Sequence, residues 1–319
     1  MKVRSRTWLR RGLIALAGVL AVVIGAVLFI AYVWQPAPQR YNSPYLAQIH
    51  ARYVDTPVAR FQYTKTGQGS PVLLVPGGGQ WIYSYRYTIP ALAAHHTVYA
   101  VDLPGQGYTT LKQSGFDYSL DAMAGALGSF MDAVGLRHAA IVGHSWGGSW
   151  SLYFAERHPR RVDRLVLIDS TGLDAPSSSY WRALAYPVLG ELAGKLMGET
   201  DAAHYLHLAF AHRVPGTTIA EDWAPMSRPA NRQALWMSQR DLDYSLTQRL
   251  MSGIGAPTFI LWGGADRLDP AWQAAAMAHR IPGATYRVLP GCGHNAHEDC
   301  PASANPLITG FLDQPAPGR

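Results

Sequence analysis

The strongest hydrophobic pattern in the chain is an uncharged apolar segment at residues 12–34. At about 1.5 Å per residue, a helix of this length spans the roughly 30 Å hydrocarbon core of a bilayer. Five basic residues precede it, namely Lys2, Arg4, Arg6, Arg10 and Arg11. The pattern predicts a single-pass signal-anchor with residues 1–11 in the cytoplasm and the rest of the chain on the extracytoplasmic side. A cleaved signal peptide, followed by secretion, is the alternative.

The remainder of the chain alternates between two patterns. Residues 35–50 are rich in proline and predict a short, stiff linker. Over residues 51–319, short apolar runs of strand length alternate with segments that have helical periodicity. This alternation indicates an α/β domain with a mostly parallel sheet flanked by helices.

A long interruption of this alternation predicts an insertion. Between Asp169 and Pro257 helical patterns predominate, for example at 186–197, 201–211 and 231–240. We therefore expect a helical cap at about residues 172–252, in which most aromatic side chains form the cap's own small core.

The charge distribution follows from the N-terminal segment. The 319-residue chain contains 27 Lys and Arg and 21 Asp and Glu, a net charge of +6. The basic cluster before residue 12 accounts for five of these charges, so the predicted extracytoplasmic part is nearly neutral. We therefore expect no nucleic-acid partner.

A candidate nucleophile lies where an apolar strand passes into a helix. Residues 143–147 read Gly-His-Ser-Trp-Gly, which fits the pattern Gly-x-Ser-x-Gly. A serine on such a tight turn is held in a strained backbone conformation with its hydroxyl exposed, and the next N–H lies at a helix N-terminus. Ser145 is therefore the predicted nucleophile, and an ordinary strand-to-helix turn is the alternative.

A serine nucleophile requires a histidine and a carboxylate. Asp266 follows the apolar strand 257–262 and is the preferred acid. Asp269 directly precedes a proline and a helical segment, which favours a role as helix N-cap, and Asp169 is a third candidate. His294 follows the next strand after a glycine and is the preferred base, with His297 as its rival. The chain order Ser145, Asp266, His294 is the one expected for this type of triad.

These motifs resemble those of the alpha/beta-hydrolase superfamily, and the similarity covers roughly residues 52–315. Residues 71–79 resemble the strand and oxyanion loop of that family, residues 98–107 resemble its Asp-x-x-Gly-x-Gly turn, and residues 302–312 resemble its last helix. The resemblance implies an oxyanion hole formed by the N–H groups of Gly78 and Trp146. Pro76 departs from the family pattern, which usually has histidine there, so the hydrogen bonding behind the loop remains open.

The resemblance also implies the chemistry. A serine at this position favours an acyl-enzyme over the chemistry of relatives that use aspartate, so we expect an esterase or lipase-like enzyme acting on small apolar esters. Neither a metal nor an organic cofactor is expected. A carbon–carbon bond hydrolase, an aminopeptidase or an acyltransferase shares the same triad, and a non-catalytic binding protein on this scaffold is a further alternative.

Two further sets of residues are candidates for the site. Four aromatic residues near the oxyanion loop and in the cap are candidates for an apolar acyl pocket, namely Trp81, Tyr83, Trp181 and Trp236. Cys292 and Cys300 flank His294. In an oxidising compartment these cysteines are expected to form a disulfide or to remain as two free thiols, whereas a Cys/His metal cluster would require His294 to leave the triad.

Overall fold

The computed structural model of the protein describes residues 2–37, 41–175, 181–182 and 185–315. Residues 38–40 of the predicted linker and residues 176–180 and 183–184 of the predicted cap lie outside the described residues.

The N-terminal apolar segment forms a long helix. Helix α1 extends from Lys2 to Leu28 and continues through a π-helical turn at Phe29–Val33. Its segment Arg10–Val33 is long and apolar enough to cross a membrane, with a mean hydropathy of 3.0, and none of the most apolar stretch is buried inside the protein. A short helix, α2 (Pro44–Gln48), follows, and the Ser43 side chain caps its N-terminus by accepting a hydrogen bond from the Leu46 N–H.

The domain is built around a twisted sheet of nine strands. In chain order these are β1 (Arg52–Asp55), β2 (Ala59–Thr66), β3 (Ser70–Val75), β4 (His96–Val101), β5 (Thr110–Leu111), β6 (Ala139–His144), β7 (Val162–Ile168), β8 (Thr258–Gly263) and β9 (Thr285–Leu289). The spatial order is β1-β2-β4-β3-β6-β7-β8-β9, with β5 paired to β2. From β4 to β9 neighbouring strands are parallel, whereas β1, β2 and β5 pair antiparallel.

Helices cover both faces of the sheet because both faces of its central strands are apolar. In β3, Leu73 and Val75 belong to one buried cluster and Val72 and Leu74 to the other. The first cluster includes α4 (Leu120–Ala133), α5 (Ser145–Arg157) and α11 (Trp272–Arg280). The second includes α3 (Thr88–Ala93), α12 (Ala296–Asp299) and α13 (Pro301–Leu312). The predicted fold class, a mostly parallel sheet flanked by helices, is confirmed.

Together with a 3₁₀ turn at Met251–Gly253, five α-helices with described bounds lie between β7 and β8. They are α6 (Leu189–Leu196), α7 (Glu199–Ala209), α8 (Gly216–Met226), α9 (Pro229–Asp241) and α10 (Tyr244–Leu250). Three of them, α6, α7 and α9, coincide with the three helical patterns named from the sequence. Helix α8 was not among those patterns, and it contains Pro225 in its last turn. Below, this group of helices is called the cap.

Candidate active site

Ser145 occupies a sharp turn between β6 and α5. Its φ angle is +49°, a conformation that non-glycine residues rarely adopt. The pattern Gly-x-Ser-x-Gly predicts this strained backbone. The turn is possible because Gly147 packs against the end of β3: a Cβ atom there would lie 2.3 Å from the carbonyl oxygens of both Val75 and Pro76. This turn at residues 143–147, which we call the elbow, therefore places the serine against the loop that follows β3.

The three residues selected from the sequence meet in one hydrogen-bonded chain. The Oγ atom of Ser145 lies 3.0 Å from Nε2 of His294, and Nδ1 of His294 lies 2.8 Å from Oδ2 of Asp266. Because a carboxylate can only accept, Nδ1 carries a proton and donates to Asp266, so in the neutral imidazole Nε2 can accept from the serine hydroxyl. The other oxygen of Asp266 accepts the main-chain N–H groups of Leu268 and Asp269, at 2.8 and 2.9 Å, which fixes the carboxylate in its loop.

The competing carboxylates have different positions. Asp169 is fully buried, and it accepts hydrogen bonds from the N–H groups of Gly263 at 2.6 Å and Ala296 at 2.9 Å. It thus ties the end of β8 to the segment that follows His294. Asp269 does not cap α11, whose N-cap is Ala271 and has no side-chain cap. Instead its Oδ2 atom lies 3.9 Å from Nδ1 of His294, because the loop turns the side chain towards the cavity.

His297, the rival histidine, does not reach the serine. Its ring is buried behind the site, packs on the rings of Tyr85 and His144, and has no hydrogen-bond partner in the described part of the chain. Burial, with Arg86 and His294 as smaller influences, lowers the pKa of His297 to about 3, so the ring is neutral. Nε2 of His144 donates to the carbonyl oxygen of His294 at 3.0 Å and so supports the turn that carries His294. No pattern in the sequence indicates this role of His144.

The charges around His294 favour its protonated form. Burial alone lowers the pKa of this histidine, but Asp266, by charge and hydrogen bond, together with Asp269 and Asp169, raises it to about 9. For Asp269, burial has the opposite effect and raises the pKa to about 6, so this carboxyl is ionised above that pH. Asp269 is therefore a second negative charge beside the imidazole at neutral and alkaline pH.

The predicted oxyanion residues lie beside the serine. Gly78 and Trp146 line the same cavity as Ser145 and His294. A Cβ atom on Gly78 would lie 2.1 Å from Cε3 of the Trp146 ring, so any larger residue at this position would force the indole ring to move. Behind the loop, Nε2 of Gln106 donates to the carbonyl oxygens of Pro76 and Gly77 at 2.9 and 2.7 Å. The hydrogen bonding behind the oxyanion loop, which could not be predicted with proline at position 76, thus comes from Gln106 in the turn after β4.

The cavity above Ser145 has a volume of about 180 Å³. Its walls come from the oxyanion loop, the cap and the loop after β8, and they include Leu173, Ala175, Trp181, Tyr205, Leu242 and Tyr244. Of the four aromatic residues predicted to line an acyl pocket, only Trp181 does so.

The other three aromatic residues have structural roles. Trp81 is fully buried and its Nε1 donates to the carbonyl oxygen of Glu221, while the hydroxyl of Tyr83 lies 3.4 Å from Thr218 Oγ1. Both rings also pack edge-on against Tyr45 of α2, so these side chains lie between the cap and α2 and not in the wall of the cavity. Trp236 lies on the far side of the cap, where it lines a cleft with Ala31 and Tyr32 of the N-terminal helix. The pocket prediction therefore does not hold for Trp81, Tyr83 and Trp236.

Cys292 and Cys300 form a disulfide in the structure, and this bond closes the loop that carries His294. Among the described residues, one group of side chains could hold a metal ion, His212, Asp299 and Cys300. Its sulfur is engaged in the disulfide and the Asp299 carboxylate accepts the N–H of Gly293 at 2.8 Å, so this group is not a built metal site.

Comparison with known proteins agrees with the fold. A family model described as the alpha/beta hydrolase fold matches residues 70–301. The 2-hydroxy-6-oxo-6-phenylhexa-2,4-dienoate hydrolase of Burkholderia cepacia is 28% identical over 267 residues, which cover 79% of this chain and 91% of that protein. A putative lipase of Acinetobacter baumannii AYE superposes with a TM-score of 0.74 at 23% identity, covering 85% of this chain and 93% of the lipase. A membrane phospholipase A superposes with a TM-score of 0.70 at 22% identity, covering 95% and 98% of the two chains. The chain belongs to the alpha/beta hydrolase fold family.

Proposed function

We propose that this protein is a serine hydrolase that cleaves carboxylic esters with apolar acyl or alcohol groups. The observation that carries the proposal is the continuous hydrogen-bonded chain Ser145–His294–Asp266 at the floor of a cavity with many apolar side chains in its walls. A serine hydroxyl is a poor nucleophile alone, and this arrangement is what activates it.

The proposed reaction uses each of these groups in turn. Nε2 of His294 takes the proton from Ser145 as Oγ attacks the ester carbonyl carbon. The N–H groups of Gly78 and Trp146 stabilise the tetrahedral oxyanion, and Asp266 stabilises the imidazolium. His294 then protonates the leaving alcohol, and a water molecule, activated by the same histidine, releases the acid from the acyl-enzyme.

A carbon–carbon bond hydrolase is the second candidate, because the dienoate hydrolase of Burkholderia cepacia is 28% identical to this chain. Its named substrate is a dienoate, which is an anion. Among the described residues that line the cavity there is no lysine or arginine, and Asp269 adds a negative charge to the wall. A neutral ester therefore fits this cavity better. Aminopeptidase and acyltransferase activity would use the same triad on other acyl groups.

The test is hydrolysis of p-nitrophenyl esters of increasing acyl length by the full-length protein in detergent. We expect activity with an optimum at one acyl length and its loss in Ser145→Ala, while Ser129→Ala on α4, far from the cavity, keeps it. A fluorophosphonate probe should label the wild type and not Ser145→Ala. Labelling without ester hydrolysis would transfer the proposal to the other acyl chemistries. A protein that the probe does not label would support a non-catalytic role.

We also propose that helix α1 anchors the enzyme in a membrane. Its apolar side chains, such as Leu13 and Val22, are 63% and 73% exposed, and so large an exposed apolar surface is typical of a segment that contacts a membrane. Arg10 and Arg11 lie at the N-terminal end of the apolar segment, which favours a cytoplasmic N-terminus and an extracytoplasmic catalytic domain.

Cell fractionation tests the anchor. We expect the full-length protein to stay in the membrane fraction after a wash at alkaline pH, and a chain lacking residues 2–34 to be soluble. Protease added to spheroplasts should digest the catalytic domain if it is extracytoplasmic. A catalytic domain that resists protease until the membrane is lysed would reverse the orientation.

A further inference from the structure

A second cavity lies next to the catalytic one. The two cavities share three wall residues, Gly78, Trp181 and Tyr205. The second, which we call the side recess, has a volume of about 40 Å³, and its walls include Met197, Leu206, Met226 and Leu235 from the cap. It is large enough for a small chemical group but not for a ring.

Two carboxyl groups line this otherwise mostly apolar recess, and one of them, Asp201, accepts the Gly198 N–H at 2.8 Å. Asp222, on α8, is 5% exposed, and neither of its oxygens has a hydrogen-bond partner among the residues that the structure describes. Buried carboxyl groups are normally paired or hydrogen-bonded, so an unpartnered one beside a cavity calls for a ligand that donates hydrogen bonds. Burial and the neighbouring Glu298 raise the pKa of Asp222 well above its usual range, whereas Arg86 acts in the opposite direction.

The surrounding charges leave Asp222 without a cation. Arg86 forms an ion pair with Glu298, and it also donates to Thr218 Oγ1 at 3.3 Å. Glu221, the residue before Asp222, accepts hydrogen bonds from the Tyr45 N–H at 2.8 Å and from the Ser43 hydroxyl. Glu298 and Glu221 thus have donors of their own, and Asp222 is the one of these three carboxyl groups that lacks a donor among the described residues.

We propose that the side recess is a specificity subsite for a primary ammonium group carried by the substrate, with Asp222 as its partner. An ammonium group has three donors and a positive charge, so it would hydrogen-bond the two unpartnered oxygens and stabilise the ionised form of the carboxyl group. The methylene groups that lead to it fit the apolar walls formed by Met226 and Leu235. The subsite rests on the proposed ester hydrolysis, and it makes esters with an amine-bearing chain the preferred substrates.

The test compares p-nitrophenyl esters whose acyl chains end in an ammonium, a hydroxyl or a methyl group, over a series of matched lengths. At one chain length we expect kcat/KM for the ammonium ester to exceed that for the methyl ester by at least about tenfold. In Asp222→Asn this ratio should fall to near unity. Glu156→Gln is the matched control, because Glu156 is another buried carboxyl without a hydrogen-bond partner among the described residues and does not line either cavity, so the ratio should persist.

A second variant keeps the test valid if Asp222→Asn folds poorly. Leu235→Phe should fill the side recess and leave the carboxyl group of Asp222 in the chain. This variant should also abolish the preference for the ammonium ester. Folding of each variant is judged by labelling of Ser145 with the fluorophosphonate probe. A wild-type ratio near unity at every length, a ratio that survives in both variants, or an equal preference for the hydroxyl ester would overturn the proposal.

The two proposals fail in different ways. If no ester is hydrolysed, the proposed function is wrong, and the subsite is then tested by protection of Ser145 against the probe. A linear alkylammonium ion should protect the wild type better than the alcohol of equal length, and this difference should disappear in Asp222→Asn. Equal protection by both compounds would overturn the subsite, whatever reaction the enzyme catalyses.

Discussion

Lys195 donates a hydrogen bond from its Nζ atom to the carbonyl oxygen of Trp34, at 2.6 Å. The same ammonium group also donates to the carbonyl oxygen of Ile30 at 3.2 Å. The last carbonyl groups of a helix have no partner within the helix, and a lysine beside them satisfies their hydrogen bonds and complements the helix dipole. Because Lys195 belongs to α6, the N-terminal helix and the cap are joined directly at the proposed membrane surface.

Removal of this contact should loosen the cap. Hydrogen bonds from charged groups contribute about 1.5–3 kcal/mol, and partial exposure reduces the contribution of Lys195 to roughly 1 kcal/mol. In Lys195→Met we therefore expect amide hydrogen exchange in α6 to become about fivefold faster. Lys65→Met, on β2, is the control and should leave α6 unchanged. Unchanged exchange in Lys195→Met would mean that the cap is held without this contact to the N-terminal helix.

The activity should depend on pH through His294. This imidazole must be neutral to accept the proton of Ser145, and its pKa is raised to about 9, so kcat/KM should increase as the pH rises towards that value. Asp269 is one of the charges that raise this pKa. In Asp269→Asn the pKa of His294 should fall, and the acidic limb of the profile should move to lower pH.

The profile of kcat/KM against pH, measured with one ester, tests this prediction. Asp266→Asn provides the contrast, because loss of the carboxylate that orients the imidazole should reduce kcat by about 10⁴. An acidic limb that stays at the same pH in Asp269→Asn would show that this carboxyl does not influence the histidine.

The elbow should tolerate no side chain at Gly147. A Cβ atom there would lie 2.3 Å from two backbone oxygens, which cannot move without displacing the oxyanion loop. We expect Gly147→Ala to lower the free energy of unfolding by about 1–3 kcal/mol and to slow labelling of Ser145. Gly125→Ala on α4 is the matched control: nothing lies within 4 Å of the added atom, and a helical alanine should stabilise by about 0.5–1 kcal/mol. Equal stability of the two variants would contradict the close packing of the elbow.

The central sheet and the three residues of the proposed triad could be predicted because local sequence determines them. The strands around Ser145, Asp266 and His294 are continuous apolar runs, and a parallel sheet brings their carboxyl ends to one edge. Once the elbow is identified, few residues remain at the ends of the later strands that could complete the triad. The choice of Asp266 over Asp269 was predictable only in part, since both carboxylates lie close to Nδ1 of His294.

The pocket could not be predicted because it depends on contacts between distant segments. Trp81 follows the oxyanion loop directly, yet its ring turns to the cap and linker, where Nε1 meets the carbonyl oxygen of Glu221. Trp236 is buried as expected of a cap residue, but it lines a cleft with residues of the N-terminal helix. The apolar periodicity of α9 predicts that a face is buried, but it does not identify the segment that packs against that face. Asp222 is a further example, because its lack of a partner becomes visible only when the surrounding helices are in place.

The disulfide between Cys292 and Cys300 should stabilise the turn that carries His294. It closes a loop with a sequence separation of 8, for which the loss of chain entropy in the unfolded state corresponds to about 2–3 kcal/mol. We expect Cys292→Ala with Cys300→Ala to lower the free energy of unfolding by about that amount in a denaturant titration. Labelling of Ser145 should also become slower, because His294 would be held less firmly. Wild type treated with dithiothreitol should behave like the double variant. If reduction changes neither stability nor labelling, Asp169 and His144 hold the turn without the disulfide.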